Sequence, residues 1–244
     1  MKPLRGWAGA SVLGLAAVMV VVAALALAGI EGLSGSLNRT EHDRPALMLV
    51  TSLPLAFSEE FSLEAGSSRA FDRLDEHYRV LPIGTTDERS LRQANLLLMA
   101  HPLAQPAEDL VALDGWVRSG GRLLLLADPM LEWPSIRPLG DRLRPPPGFA
   151  DTGLLAHWGL GLSPPAKRGA AWRELGDRRV LARSPGVIEG ACDIGPGGFY
   201  ARCRIGRGRV TIVADADFIN AETLGADGEA NLDALISELD ALEG

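Results

Sequence analysis

The sequence predicts an α/β fold: a three-layer, flavodoxin-like or amidotransferase-like, mostly parallel sheet with a β-hairpin insertion, preceded by one transmembrane helix. Three observations carry this reading. Runs such as ALMLVT (46–51), NLLLMA (95–100) and RLLLLA (122–127) are continuously apolar, as strands buried on both faces are. Helix-period segments alternate with them over short connections, which means parallel strands joined by right-handed crossovers. Finally, the 25 residues from Gly6 to Ile30 contain no charge, and no other stretch comes close.

That uncharged run comes first. Its span of Trp7 to Ile30 exceeds the ~20 apolar residues that cross a bilayer, and Lys2 and Arg5 before it stay cytoplasmic by the positive-inside rule. A cleavable signal peptide is the competing reading, with Ala24-Leu25-Ala26 or Ala26-Leu27-Ala28 as a small-x-small site. An apolar stretch this long favours an uncleaved anchor. The expected organisation is therefore an anchor over 1–30, a Gly/Ser-containing tether over 31–44, and an extracytoplasmic α/β domain over 45–244.

Within that domain, Ala46 to Thr51 is the first strand. Ser67 to Tyr78 is helical, with Ala70, Phe71, Leu74 and Tyr78 along one face and Ser67 or Ser68 as cap. Arg79 to Ile83 is a second strand, Asp87 to Gln93 a brief helix, and Asn95 to Ala100 the third strand. Pro106 opens a helix at its first position, where a missing N–H is harmless. Leu110, Leu113 and Val117 line its inner face, and Gly120-Gly121 ends it. The fourth strand is Arg122 to Ala127. Residues 130–150, rich in Pro and Arg, read as a long surface loop. Leu154, Leu155 and Trp158 mark a short helix ending at Gly159. From Arg179 to Arg204 the pattern is one of β-hairpins, with Pro196-Gly197-Gly198 as a turn. Arg209 to Ala214 adds a buried strand. Leu232, Leu235, Ile236, Leu239 and Leu242 then repeat at helical spacing to the end.

Charge excludes one class of function. Beyond the first 30 residues the chain carries 22 basic and 31 acidic residues, and nucleic-acid affinity rests on Lys and Arg neutralising phosphates. No nucleic-acid partner is expected.

Parallel sheets bind ligands at the carboxyl ends of their strands, here Thr51-Ser52, His101-Pro102, Asp128-Pro129 and Asp215-Asp217. His101, Asp128, Asp215 and Asp217 are thus the candidate strand-end site. The three aspartates have the donor atoms a hard cation needs; the competing reading is that they cap the following loops. No spacing matches a metal or cofactor motif, and the four histidines are scattered. No nucleophile elbow is visible, because the third and fourth strands lead into Ala-His-Pro and Ala-Asp-Pro with no Ser or Cys. Neither G-x-G-x-x-G nor a P-loop is present. No catalytic residue, metal or cofactor is assigned.

Cys192 and Cys203 are equidistant from Gly197-Gly198, so a hairpin turning there sets them opposite each other at disulfide distance. Two unpaired thiols are the alternative in a reducing compartment. Arg202 and Arg204 share one strand face, suited to head groups or an acidic partner, or simply to a solvated strand edge. In the long loop, Trp133, Arg137 and Arg144 are the candidate exposed anchors for a partner.

Several segments together resemble the extracytoplasmic domain of the ABC-type uncharacterised transport-system family, which includes the gliding-motility auxiliary components. Leu91 to Pro102 (LRQANLLLMAHP) is similar to the family's strand and proline, with Asn95 at a position usually Asp. Leu113 to Pro129 (LDGWVRSGGRLLLLADP) resembles its helix, double glycine, strand and Asp-Pro. Leu154 to Leu160 (LLAHWGL) and Gly206 to Asn220 (GRGRVTIVADADFIN) resemble two further segments, and Asn231 stands where the family's last helix opens. The resemblance implies a domain similar to class I glutamine amidotransferases without their Cys-His-Glu machinery. It also implies a single-pass accessory subunit of a bacterial inner membrane, working beside an ABC permease and ATPase. The alternative is an amidotransferase-like or hydrolase enzyme using His101 and Asp128.

Overall fold

The structure is a computed structural model, described over residues 44–59 and 66–244. The chain divides at Arg44/Pro45 into two units. The expected anchor over 1–30 and all of the tether but Arg44 lie outside the described residues. Among the described residues no helix is long and apolar enough to cross a membrane.

A seven-stranded sheet organises residues 45–244. Four early strands, β1 (Ala46–Thr51), β2 (Arg79–Pro82), β3 (Leu96–Ala100) and β4 (Arg122–Leu126), are joined by β11 (Gly208–Val213). These five are parallel, in the order β2-β1-β3-β4-β11. β10 (Tyr200–Ile205) and the two-residue β9 (Asp193–Ile194) extend the sheet antiparallel beyond β11. The fold is mixed α/β with a mostly parallel central sheet, as the alternating pattern predicts.

Continuous apolar runs become two cores because side chains alternate across a strand. Leu47, Leu49, Leu98, Leu124 and Leu126 face one side, where α1 (Arg69–His77) and α6 (Ala226–Glu243) bring Leu74, Leu232, Leu235 and Leu239. Met48, Val50, Leu97, Met99, Leu123 and Leu125 face the other. There α2 (Glu88–Leu91), α3 (Ala107–Arg118) and α4 (Leu154–His157) bring Leu91, Leu113, Val117 and Leu155. Both cores lie wholly within 45–244. The sheet therefore has three layers, with both cores drawn from the described residues of this unit.

Local chemistry sets the helix ends. Ser68, rather than Ser67, caps α1 by accepting from the Phe71 N–H at 3.1 Å. Asp87 caps α2, accepting from the Arg89 and Ser90 N–H groups at 2.8 and 3.0 Å. Pro106 departs from expectation: its ψ of 154° is extended, so it is the cap of α3 and not its first residue. Asn231 also departs, since α6 opens five residues earlier. The short α5 (Ala221–Leu224) leads into α6 through Gly225, whose φ of 58° makes the bend that a residue with a Cβ resists.

The hairpin region begins before Arg179. β6 (Ala170–Leu175) and β7 (Arg178–Arg183) pair around a two-residue Gly176-Asp177 turn, with Gly176 at φ 63°. AAWREL is rich in helix-forming residues, and the turn overrides that propensity. β5 (Leu160–Ser163) and β8 (Val187–Gly190) form a further antiparallel pair that periodicity did not reveal.

The β9–β10 register sets Asp193 opposite Arg202 and Ile194 opposite Ala201. Continued by one pair, it sets Cys192 opposite Cys203. The two sulfurs are bonded, with Cα atoms 5.0 Å apart. Thiol labelling of the denatured, unreduced protein should find no free cysteine. A C192S/C203S variant should lose roughly 2–4 kcal/mol of unfolding free energy in a denaturant titration, the expectation for so short a closed loop.

Arg202 is engaged within the chain. It grips the buried Glu238 of α6 with two hydrogen bonds of 3.0 and 2.5 Å, and Thr211 donates to the same carboxylate at 2.8 Å.

Candidate functional site

The carboxyl ends of β1, β3, β4 and β11 converge as expected, and the structure brings His101, Asp128, Asp215 and Asp217 to that end of the sheet. All four are buried, with no more than 1% exposure.

His101 follows β3 directly with φ 46°, a left-handed conformation uncommon for a residue with a Cβ. Hydrogen bonds from both its backbone and its ring hold it there. Its N–H donates to Leu126 O at 2.9 Å, and its own carbonyl accepts from the Ser52 hydroxyl at 2.5 Å. Its ring Nε2 lies 2.9 Å from the Pro146 carbonyl. A carbonyl only accepts, so Nε2 carries the proton and Nδ1, which has no partner, is bare. Burial lowers the ring's pKa and favours this neutral form.

The aspartates act as acceptors for backbone. Asp128 accepts from Met130 N–H (2.8 Å) and Ala216 N–H (2.9 Å), tying the end of β4 to the end of β11. Asp215 accepts from Phe218 N–H (2.7 Å) and Arg183 N–H (2.9 Å), tying β11 to β7. Asp217 accepts from Glu132 N–H at 2.6 Å, fastening the long loop. The capping reading thus describes their bonding. Among the described residues no three His, Cys, Asp or Glu side chains are grouped to hold a metal ion.

Close packing of carboxyls out of water resists their ionisation. Burial pushes Asp128 up to about 6 and Asp217 up to about 7. Asp215 is raised by its complete burial and then by the charges of Asp128 and Asp217. Two residues the sequence did not single out complete the cluster. Glu132 accepts from the Ser184 hydroxyl at 2.6 Å, while Ser184, at φ 45° and fully buried, accepts in turn from Gly169 N–H. The Ser184-Pro185-Gly186 turn was the available signal. At Gly186 a Cβ would come within 2.8 Å of Ser163 O and 2.5 Å of Pro129, so the chain closes tightly there.

Residues 130–150 form the expected long loop, without helix or strand. Its base is sewn down: Leu131 N–H donates to Pro147 O, and Phe149 N–H to Asp128 O at 2.6 Å. Trp133, Arg137 and Arg144 were expected as exposed anchors, but each is only half-exposed. Trp133 packs against the first core. Arg137 pairs with Asp141 at 3.8 Å, and the Arg144 guanidinium donates to the Arg137 carbonyl. The reason is local, since the loop folds back on its own arginines.

Beside the loop, an open groove of about 630 Å³ runs between the segment after β1 and α5, lined in part by Pro54, Ser58, Ser67, Trp133, Ser135 and Thr223. Glu59 closes one side, accepting from the Ser135 hydroxyl at 2.7 and 2.9 Å and from Ile136 N–H at 2.9 Å.

No family model matches this chain, and no curated protein does. Several solved structures are similar to it in part. The N-terminal domain of mmIFT52 aligns over 80% of this chain and 97% of its own, at 12% identity and a TM-score of 0.51. An exo-β-1,4-mannosidase, Op5Man5 from Opitutaceae bacterium strain TAV5, aligns over 87% of this chain at 14% identity and a TM-score of 0.48. A β-galactosidase from Bacillus circulans sp. alkalophilus aligns over 80% at 13% identity and a TM-score of 0.46. The chain spans 38% and 30% of the lengths of those two enzymes. At 12% identity the likeness to the mmIFT52 domain is one of fold alone.

Proposed function

We propose that the protein is a membrane-anchored, non-catalytic extracytoplasmic accessory or binding subunit of an ABC transport system, on a flavodoxin-like, amidotransferase-related sheet. The order β2-β1-β3-β4-β11 supports the sheet assignment, being the 2-1-3-4-5 doubly wound order when strands are counted along the chain. One observation carries the functional reading. Where such sheets hold their ligands, this one buries every candidate group and commits the three carboxylates to backbone N–H donors. A general acid or base must come within hydrogen-bond reach of its substrate, and these groups are sealed from it. The order of motifs along residues 91–231 supports the transporter context, and the uncharged 6–30 segment supports the anchor.

One observation favours a second reading. His101 stands at an elbow-like position with positive φ, where strained backbone is often a sign of catalysis. On that reading the protein is an amidotransferase-like or hydrolase enzyme of the envelope.

Affinity isolation of the full chain from its own membrane in mild detergent separates the two. The accessory reading expects a multi-span permease and an ATPase to co-purify. Isolation without them, together with hydrolytic activity that H101A abolishes by the ~10²–10⁴-fold typical of an acid–base group, would install the enzyme reading instead.

A further inference from the structure

We propose that the tip of the long loop, residues 136–144, is a lipid-docking surface that settles its aliphatic side chains into an anionic bilayer interface. Ile136, Leu139 and Leu143 are 70, 85 and 68% exposed, and Phe57 is 83% exposed. Glu59 ties the segment carrying Phe57 to the tip by accepting from Ile136 N–H. Single exposed apolar residues are ordinary; here four stand on two segments joined by a hydrogen bond.

The tip is built to keep them outward. Asp141 N–H donates to Pro138 O at 3.2 Å, and Arg144 N–H to Asp141 O at 3.1 Å. Leu143 N–H donates to the Asp141 carboxylate at 2.8 Å, and the Arg144 guanidinium closes onto Arg137 O. A turn held at so many points cannot fold its leucines under itself, and ordering already achieved lowers the entropic cost of docking.

The charge around those leucines fits a lipid surface. Residues 136–144 hold three arginines against one aspartate, in a chain of net charge −7. Asp141 is taken by Arg137, while Arg142 is exposed. Aliphatic side chains flanked by guanidinium groups match the layered chemistry of a bilayer interface, apolar below and anionic above. A protein hot spot is typically built on buried aromatic anchors, and Trp133, the aromatic side chain of this loop's first half, packs partly against the first core.

Reach is sufficient, a point that rests on the anchored reading above. The 14 residues of 31–44 span up to about 50 Å extended, whereas the six residues of β1 rise only about 20 Å.

The test is flotation of residues 45–244, the unit that contains both cores, with vesicles of phosphatidylcholine alone and of phosphatidylcholine mixed with phosphatidylglycerol. Expected is flotation on the mixed vesicles, reduced about tenfold on neutral ones and by high salt. L139S/L143S should abolish flotation while leaving the melting temperature unchanged, because both sites are exposed. Absence of flotation on mixed vesicles, or flotation indifferent to L139S/L143S, would overturn the proposal. Should 45–244 not fold alone, hydrogen exchange of 136–144 in the full chain decides: it slows in anionic nanodiscs relative to neutral ones, and equal rates refute. A crosslink from the tip to a protein partner without lipid dependence also refutes it. Carbonate extraction of the full chain tests the anchor separately, since a released chain whose domain still floats removes only the tether argument.

Discussion

Raising the pH from 5 to 8 should destabilise the 45–244 domain by roughly 2–4 kcal/mol, taking ~1.4 kcal/mol per unit of pKa displacement. Asp128 and Asp217, with values of about 6 and 7 against an ordinary 3.8, and Asp215, raised as well, bind protons more tightly folded than unfolded. The stability they contribute is fully present below about pH 4 and is lost as pH rises through their folded values. His101 acts in the other sense. Its lowered pKa means that stability is lost as pH falls below the ordinary 6.5 toward its folded value. Asp87 is held low by its bonds to Thr85 and Ser90 and matters only in stronger acid. Urea titrations at pH 5, 6, 7 and 8 read the net slope, and D217N isolates one of its sources. An amide oxygen can still accept from Glu132 N–H, and an amide does not ionise. The variant should therefore be the more stable protein at pH 8 and show a flatter profile. A wild-type profile that rises steadily to pH 8, or a D217N profile parallel to it, would refute the protonated cluster.

The second large effect belongs to Asn231. Fully buried on α6, its amide oxygen accepts from Leu181 N–H at 2.9 Å, and its amide nitrogen donates to Leu181 O at 2.9 Å and Phe218 O at 2.7 Å. One side chain thereby satisfies three backbone groups, on β7 and on the turn after β11. N231L is similar in size and strands all three, at about 1–3 kcal/mol each, so a loss of roughly 3–6 kcal/mol is expected. N231D keeps the acceptor and strands the two carbonyls beside a buried carboxyl, so it should also be severe. Equilibrium unfolding measures both. A loss near 1 kcal/mol for N231L would mean that water replaces the amide.

How much was legible follows from what each signal measures. Hydrophobic runs report burial, so β1, β3 and β4, buried on both faces, emerged within a residue of their bounds. The Cys192–Cys203 pairing was readable because a glycine turn fixes hairpin register arithmetically. The strand-end residues were readable because a parallel sheet sends its loops to one end. What escaped was decided by distant partners. Glu132 and Ser184 lie 52 positions apart in the sequence, and β6 is a strand because β7 lies beside it. Asn231 looked like a helix opener, yet its value lies in reaching β7. Arg137 and Arg144 looked free until the loop closed on them.

The order of the sheet carries a consequence for how the chain acquires it. β4 and β11 are neighbours in space, yet the whole excursion from 127 to 207 separates them in sequence. Closing so long a loop costs entropy before any ladder bond rewards it. Synthesis delivers β1 to β4 first, leaving the apolar edge of β4 open until residues 208–213 arrive. An open edge of that kind invites pairing with other chains. The arrangement thus makes a strand near the end of the sequence the guardian of the first four, and a chain truncated before Gly208 would present an adhesive sheet rather than a smaller domain.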